Sequence, residues 1–167
     1  MRPVPNIPLL WGALLVVVPA TSWVVYAEGA AKFPGIALLI LVVLVSGIDL
    51  VISGSRLEGL SIEVPDLLRS TKGKELIVPV TFLNRGADLD WMRYGIAAPM
   101  DFRVEGEIVG CLTELKQGKK RSVEYPLIPL RRGRFFLESA YVETRSTLSL
   151  WLLRKRFDLA TEVRVYP

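Results

Sequence analysis

The chain has 167 residues, 51% of them apolar, and a mean hydropathy of +0.37, which is too high for an ordinary water-soluble domain of this length. It contains no histidine, which excludes imidazole general-base catalysis, Ser-His-Asp and Cys-His nucleophile systems, and His-ligated metal sites. Cys111 is the single cysteine, so an internal disulfide and CxxC metal sites are excluded, and the formal charge of +4 comes from the residues after 53.

Two apolar segments near the amino terminus are long enough to cross a bilayer. Residues 7–27 form 21 consecutive uncharged residues, about 31 Å as a helix. The second segment, 33–52, reaches about 20 residues only if Asp49 is included. Because only residues 28–32 join the two, we predict a transmembrane helical hairpin over residues 1–53, with spans of about 7–27 and 33–52.

Two residues are unusual for a membrane span. Pro19 should bend the first helix, which local adjustment or a neighbouring helix makes tolerable. Asp49 should lie close to the interface, where we expect its carboxyl group to reach water or a headgroup amine rather than to serve a proton relay.

The charges around the hairpin predict its orientation. Arg2 precedes the first span and several basic residues follow the second, whereas the connector has one lysine beside one glutamate. The positive-inside rule therefore predicts a multi-pass protein of the cell (inner) membrane, with the amino terminus and the soluble domain in the cytoplasm. A signal peptide cleaved near Ala27 is the alternative, although the apolar stretch exceeds the roughly 7–15 residues of a signal-peptide core.

After Gly54 the sequence changes to an alternation of apolar and polar residues, which indicates strands with one buried face. The alternating runs are separated by turn sequences and lie at 76–83, 102–108, 123–127 and 162–166. About seven short strands without helices must bury their apolar faces against each other. We therefore predict an all-β, antiparallel two-sheet sandwich over residues 54–167, carried by the membrane hairpin of two transmembrane α-helices.

Local features refine this prediction. The best helical candidate in the soluble part is Val64–Ser70, a turn or less in length. Pro79, Pro126 and Pro129 lie in strand-like runs, and proline within a sheet predicts edge strands or bulges.

Basic residues concentrate in the second half of the soluble part, where residues 116–156 carry 11 basic and 3 acidic side chains. Such clusters commonly mark solvated turns and edge strands, which is the favoured interpretation, and the alternative beneath a cytoplasmic leaflet is contact with anionic lipid or a partner. Nucleic acid is not expected, because no aromatic platform or known binding motif accompanies the charges. The candidate contact residues are Arg131, Arg132, Arg134, Arg154, Lys155 and Arg156.

The sequence contains no motif for catalysis, metal binding or cofactor binding, such as GxxxxGK[ST], GxGxxG, GxSxG or HExxH. Asp88 and Asp90 form the closest acidic pair in a loop, but further cation ligands are not evident, so a solvated loop is predicted. Trp91 and Trp151 are predicted to be core anchors rather than ligand platforms.

Four pieces of the last third occur in a recognisable order: PLRRGRF at 129–135, VETRS at 142–146, LW at 150–151 and VRVYP at 163–167. With the membrane hairpin, they make the chain similar to the bacterial domain of unknown function 58 family, in which two amino-terminal membrane helices precede a β-sandwich. The family has a Pro-Phe-Gly-Leu-like turn where this chain has residues 147–150, so the tight glycine turn is missing and that corner is expected to be built differently.

Family members generally continue into a von Willebrand factor A-like domain with a metal-ion-dependent adhesion site, and they are usually associated with MoxR-type AAA+ ATPases. The sequence contains no Asp-x-Ser-x-Ser, so the metal site is not carried over. The resemblance implies a short relative, a fragment or one half of a split protein, with a MoxR-type ATPase or a separate von Willebrand factor A-like protein as a partner.

These observations lead to a functional hypothesis of a non-enzymatic, membrane-anchored interaction or scaffold module. The alternative is an accessory subunit of a membrane enzyme whose site is completed by a partner chain, with Asp49 or the Asp88/Asp90 pair contributing.

Overall fold

The structure, a computed structural model, describes residues 1–104 and 109–167. These residues group into two compact units. The helical unit comprises Arg2–Ser55 together with Arg145–Leu153, and the sandwich unit comprises Met1, Arg56–Thr144 and Arg154–Pro167. The segment that joins the last two strands therefore belongs to the same unit as the apolar helices.

The first apolar helix is continuous over Ile7–Tyr26 and has a π-helical segment that ends at Val17, two residues before Pro19. Proline has no N–H, and its ring crowds the carbonyl four residues earlier, so a widened turn at that place accommodates it. The expected disturbance at Pro19 is thus a local change of helix type. A short strand, β1 (Arg2–Pro5), precedes this helix, whose parts are α1 (Ile7–Gly12), the π-helical Ala13–Val17 and α2 (Val18–Tyr26).

The second apolar helix consists of a 3₁₀ turn, Gly29–Lys32, followed by α3, Phe33–Ser53. It packs closely against α2, because a Cβ atom placed on Gly35 would lie 2.7 Å from Cγ2 of Val24. Both helices have the length and composition needed to cross a membrane, and the predicted pair of apolar helices is confirmed.

Two β-sheets follow the helices, as predicted. The four-stranded sheet has the order β2-β4-β8-β6, and the other has the order β10-β9-β5-β7, with β3 beside β10. The strands are β2 (Leu60–Glu63), β3 (Leu67–Thr71), β4 (Leu76–Asn84), β5 (Met92–Ile96), β6 (Phe102–Val104), β7 (Gly110–Leu112), β8 (Lys120–Pro129), β9 (Gly133–Arg145) and β10 (Trp151–Tyr166).

The core of the sandwich lies between the two sheets. Phe82 of β4 meets Tyr94 of β5, and Phe102 of β6 meets Phe135 of β9, each with 5.1 Å between ring centroids. Nine strands follow the helices in the described part of the chain, compared with about seven predicted. The predicted all-β, two-sheet fold is confirmed.

Two local predictions are wrong, and a third extends beyond the described residues. Val64–Ser70 is not helical, since β3 begins at Leu67 and pairs in parallel with the end of β10. Pro79 lies on β4, and Pro126 and Pro129 lie on β8. These are the two inner strands of their sheet, so the prediction of edge strands is wrong for them. The predicted run 102–108 is a strand at Phe102–Val104, and residues 105–108 lie outside the described residues.

Pro79 is compatible with an inner strand because the neighbouring strand is short. Pairing between β2 and β4 ends at Thr81, two residues from Pro79, so β4 is locally an edge on that side.

The predicted closing strand at 162–166 is confirmed as the end of β10, with Val163 and Val165 buried.

Candidate functional site

A polar cluster in the helical unit surrounds Asp49, near the end of α3. This side chain is buried, with 2% of the residue exposed, so the expectation that it reaches water or a headgroup amine is wrong. Its Oδ2 accepts a hydrogen bond of 2.6 Å from the hydroxyl of Ser146, and its Oδ1 accepts one of 2.9 Å from the backbone N–H of Leu148. Protein donors thus take the place of water around this carboxyl group.

The donors lie on one turn, residues 146–151, which we call the 146–151 turn. The N–H of Ser146 donates to the carbonyl of Trp151 at 2.9 Å, and the N–H of Ser149 donates to the carbonyl of Ser146 at 2.9 Å. Ser149 has φ of 59°, a left-handed conformation that favours glycine. We expected this corner to be built differently because the tight glycine turn is missing. In the structure, Ser149 adopts the left-handed conformation there.

Further hydrogen bonds tie the 146–151 turn to α3. Ser53 Oγ accepts from the N–H of Thr147 at 2.9 Å, and the indole N–H of Trp151 donates to the carbonyl of Ser46 at 3.0 Å. The Ser146 hydroxyl also accepts from the N–H of Trp151 at 2.9 Å. Among the described residues, no buried side-chain nitrogen or oxygen lacks a partner. Ser146 therefore has its donor and acceptor occupied, which suits a structural role for the cluster.

A second feature lies on the outer face of the sandwich unit, where β5, β9 and β10 form an open groove of about 360 Å³. In the register of β5 and β9, Arg93 faces Glu143 and Gly95 faces Tyr141. The ring of Tyr141 stands beside a residue without a side chain, and the Tyr141 residue is 49% exposed. The groove thus presents an accessible aromatic residue on the face of a β-sheet.

Charges border this groove. The side chain of Glu143 is only 12% exposed and lies between two arginines, 3.8 Å from Nη1 of Arg93 and in hydrogen-bond contact with Nε of Arg154. One of the two positive charges is balanced by this carboxylate, so the rim retains a net charge of +1. On the opposite, core-facing side of β5, burial raises the pKa of the Tyr94 phenol, and Cys111 adds to the effect.

The six predicted contact residues lie on two elements. Arg131, Arg132 and Arg134 surround the turn between β8 and β9 and are exposed, whereas the other three are consecutive on β10. Arg154 borders the groove. Ion pairs join Arg131 to Asp101 at 3.5 Å, Arg134 to Glu162 at 3.9 Å and Arg156 to Asp158 at 3.2 Å.

Lys155 has a different role, because its Nζ donates to the carbonyl of Leu57 at 2.9 Å and lies 4.9 Å from the ring centroid of Phe157. Glu162, the partner of Arg134, has its pKa lowered first by its hydrogen bond to Arg164 and further by the charges of both arginines. Of the predicted set, then, only Arg154 takes part in the groove.

The remaining candidates are dispersed. Asp88 accepts a hydrogen bond of 2.6 Å from the N–H of Gln117, and Asp90 lies 3.7 Å from the guanidinium of Arg56. Trp91 is half-buried with the guanidinium of Arg93 5.1 Å from its ring centroid. Trp151, predicted as a core anchor, is also half-buried and contacts α3 instead. Within the described ranges, no group of three or more acidic, His or Cys side chains is placed to hold a metal ion.

No family profile matches this chain, and no curated protein matches it. Distant likenesses exist among solved structures. The ASH/PapD-like domain 7 of human CEP192 is 15% identical with a TM-score of 0.38, covering 65% of this chain and 85% of that domain. A non-cellulosomal cohesin from the archaeon Archaeoglobus fulgidus is 9% identical with a TM-score of 0.37, covering 65% of this chain and 91% of the cohesin.

The VesB protease of Vibrio cholerae is 13% identical with a TM-score of 0.37 and matches over 71% of this chain, which spans 35% of the protease. At this distance the three likenesses carry no argument about this chain.

Proposed function

We propose that this protein is a membrane-anchored interaction or scaffold module with no enzymatic activity of its own. The anchor is the helical hairpin, whose apolar side chains are exposed along both helices, as lipid contact requires. The interaction surface is the groove on β5, β9 and β10. Tyrosine and arginine are enriched where proteins bind each other, and both border this groove.

The proposed location is the cell (inner) membrane, with both ends of the hairpin and the sandwich in the cytoplasm. Support comes from the charge pattern, since Arg2 and the basic residues after 55 flank the hairpin and the connector has no net charge. A cytoplasmic sandwich is also where an ATPase partner would have access to it.

The exposed Tyr141 beside the Arg93–Glu143–Arg154 cluster is the observation that carries the proposal. The proposed partner is a MoxR-type AAA+ ATPase or a von Willebrand factor A-like protein, as the family resemblance implies. Because the rim has a net positive charge, we expect the partner to present an acidic or hydrogen-bonding patch around an apolar contact for the tyrosine ring.

Affinity capture from detergent-solubilised membranes tests this proposal. Wild type should capture a partner of one of these two classes, and Tyr141→Ala should lose it. Phe136→Ala is the matched control, because Phe136 is an exposed aromatic residue on the same strand, 55% exposed, outside the groove. Equal capture by both variants, or no such partner with wild type, would contradict the proposed surface.

The alternative, an accessory subunit of a membrane enzyme, requires a carboxyl group available for chemistry. Asp49 is engaged by protein donors, which leaves the exposed Asp88/Asp90 pair as the better candidate. We expect the double variant Asp88→Ala/Asp90→Ala to retain cellular function at normal abundance. A loss of function at unchanged abundance would favour the enzyme subunit.

A further inference from the structure

The 146–151 turn lies beside α3 rather than beyond its end. Its hydrogen bonds reach Ser53, the last residue of the helix, and also Ser46, seven residues earlier. Seven residues correspond to about 10 Å along a helix axis. The turn therefore extends along the last two turns of the second apolar helix.

That part of α3 carries side chains suited to lipid. Ile48 and Ile52 are exposed, and Val51 is 80% exposed. If α3 spans a membrane, these residues place the edge of the hydrocarbon close to the end of the helix, since apolar side chains favour lipid over water. The turn, which occupies the same level, would then lie within the polar–apolar boundary of the bilayer.

The start of the first apolar helix lies beside the same turn. Asn6 caps this helix by accepting from the N–H of Ile7 at 2.8 Å, and its side-chain amide donates to the carbonyl of Ser149 at 2.7 Å. Its backbone N–H donates to the carbonyl of Leu150 at 2.9 Å. Both helix ends on one side of the hairpin are thus bonded to this one turn.

The composition of the turn suits such a position. Residues 146–153 read STLSLWLL and contain no charge, while Arg145 and Arg154 flank them. Leu148 is 55% exposed at the tip, and tryptophan favours the headgroup region of a membrane. An exposed leucine on an uncharged turn between two arginines is suited to an interface with anionic or zwitterionic lipid.

We propose that the 146–151 turn is a third membrane-contacting element, which enters the bilayer interface beside the hairpin and places the Leu148 side chain against the acyl chains. This inference rests on the proposed membrane anchoring of the hairpin. The turn also explains how a span can contain Asp49: its hydroxyl and N–H groups supply the hydrogen bonds that lipid lacks.

Site-directed fluorescence tests the proposal on the full chain in phosphatidylcholine/phosphatidylglycerol vesicles. In a Cys111→Ser background, Leu148→Cys is labelled with the environment-sensitive fluorophore NBD. Gln117→Cys, in an exposed turn of the sandwich unit, is the matched control. Label at 148 should emit at shorter wavelength than label at 117 and should be quenched several-fold more strongly by lipids spin-labelled near the headgroup.

A third site separates this inference from the proposed anchoring. Leu44→Cys lies in the middle of α3 on an exposed apolar position and should be quenched by spin labels deep in the acyl chains. Quenching at 44 with a water-like signal at 148 would overturn the proposed membrane contact of the turn and leave the anchor intact. Absence of quenching at 44 would overturn the membrane anchor, and the inference about the turn with it.

Discussion

At the scale of single residues, the buried carboxyl group of Asp49 ties the 146–151 turn to α3 through two hydrogen bonds. Its position near the end of an apolar segment correctly marked it as unusual, but its hydrogen-bond donors lie 97 and 99 residues later in the chain. No local pattern connects a carboxyl group to a serine hydroxyl at that separation. The expected contact with water or headgroups was the default for an unpaired carboxyl group.

Removing this carboxyl group should be costly. Asp49→Ala leaves the Ser146 hydroxyl and the Leu148 N–H without their acceptor, at a cost of about 1–3 kcal/mol for each unsatisfied group. The measurement is the thermal melt of the full chain in detergent. Asp158→Ala is the control, because that side chain is 87% exposed, and exposed ion pairs contribute little. Equal melting of the two variants would show that the cluster is not structural.

The groove is formed by residues that are far apart in the sequence and that only the fold brings together. Arg154 was predicted as a contact residue from its place in a basic cluster, but Arg93, Tyr141 and Glu143 were not, because they occur singly in the sequence. Their outward alternation on β5 and β9 was the available signal. It becomes informative only when the register Arg93↔Glu143 is known.

At the scale of elements, alternation predicted β4, parts of β6 and β8, and the end of β10. β4 and the end of β10 alternate strictly between buried and less buried residues, and both were expected. β3 was missed because its partner, the end of β10, lies 95 residues away, where Leu67 pairs with Glu162. The proline rule was misleading for β4 because a strand can be central in a sheet and still extend beyond a short neighbour.

The end of β10 should be essential for the sandwich. Deleting residues 161–167 removes the parallel partner of β3 and two buried valines, each contributing about 1.5–3 kcal/mol. We expect a lower melting temperature and aggregation through the uncovered edge of β3. Circular dichroism melts of the full chain and the truncated chain measure this, with deletion of the exposed Pro167 alone as control. A melt of the seven-residue truncation like that of the control would mean that the strand is dispensable.

At the scale of the whole molecule, the change from continuous apolar sequence to alternation at Gly54 was enough to predict helices followed by a sandwich. The grouping of Arg145–Leu153 with the helices was not predictable in this way. In the sequence, those residues resemble an ordinary connection between two strands. Their hydrogen bonds to Asn6, Ser46 and Asp49 depend on the three-dimensional fold.

We propose that the helical hairpin anchors a cytoplasmic interaction domain in the membrane. Paired reporter fusions after Pro167 test this topology, with the same reporters inserted after Ala30 in the connector as the control. We expect a fluorescent green fluorescent protein and an inactive alkaline phosphatase after Pro167, and active alkaline phosphatase after Ala30, because the basic residues flank the hairpin. Active alkaline phosphatase after Pro167 would overturn the proposed cytoplasmic location of the sandwich.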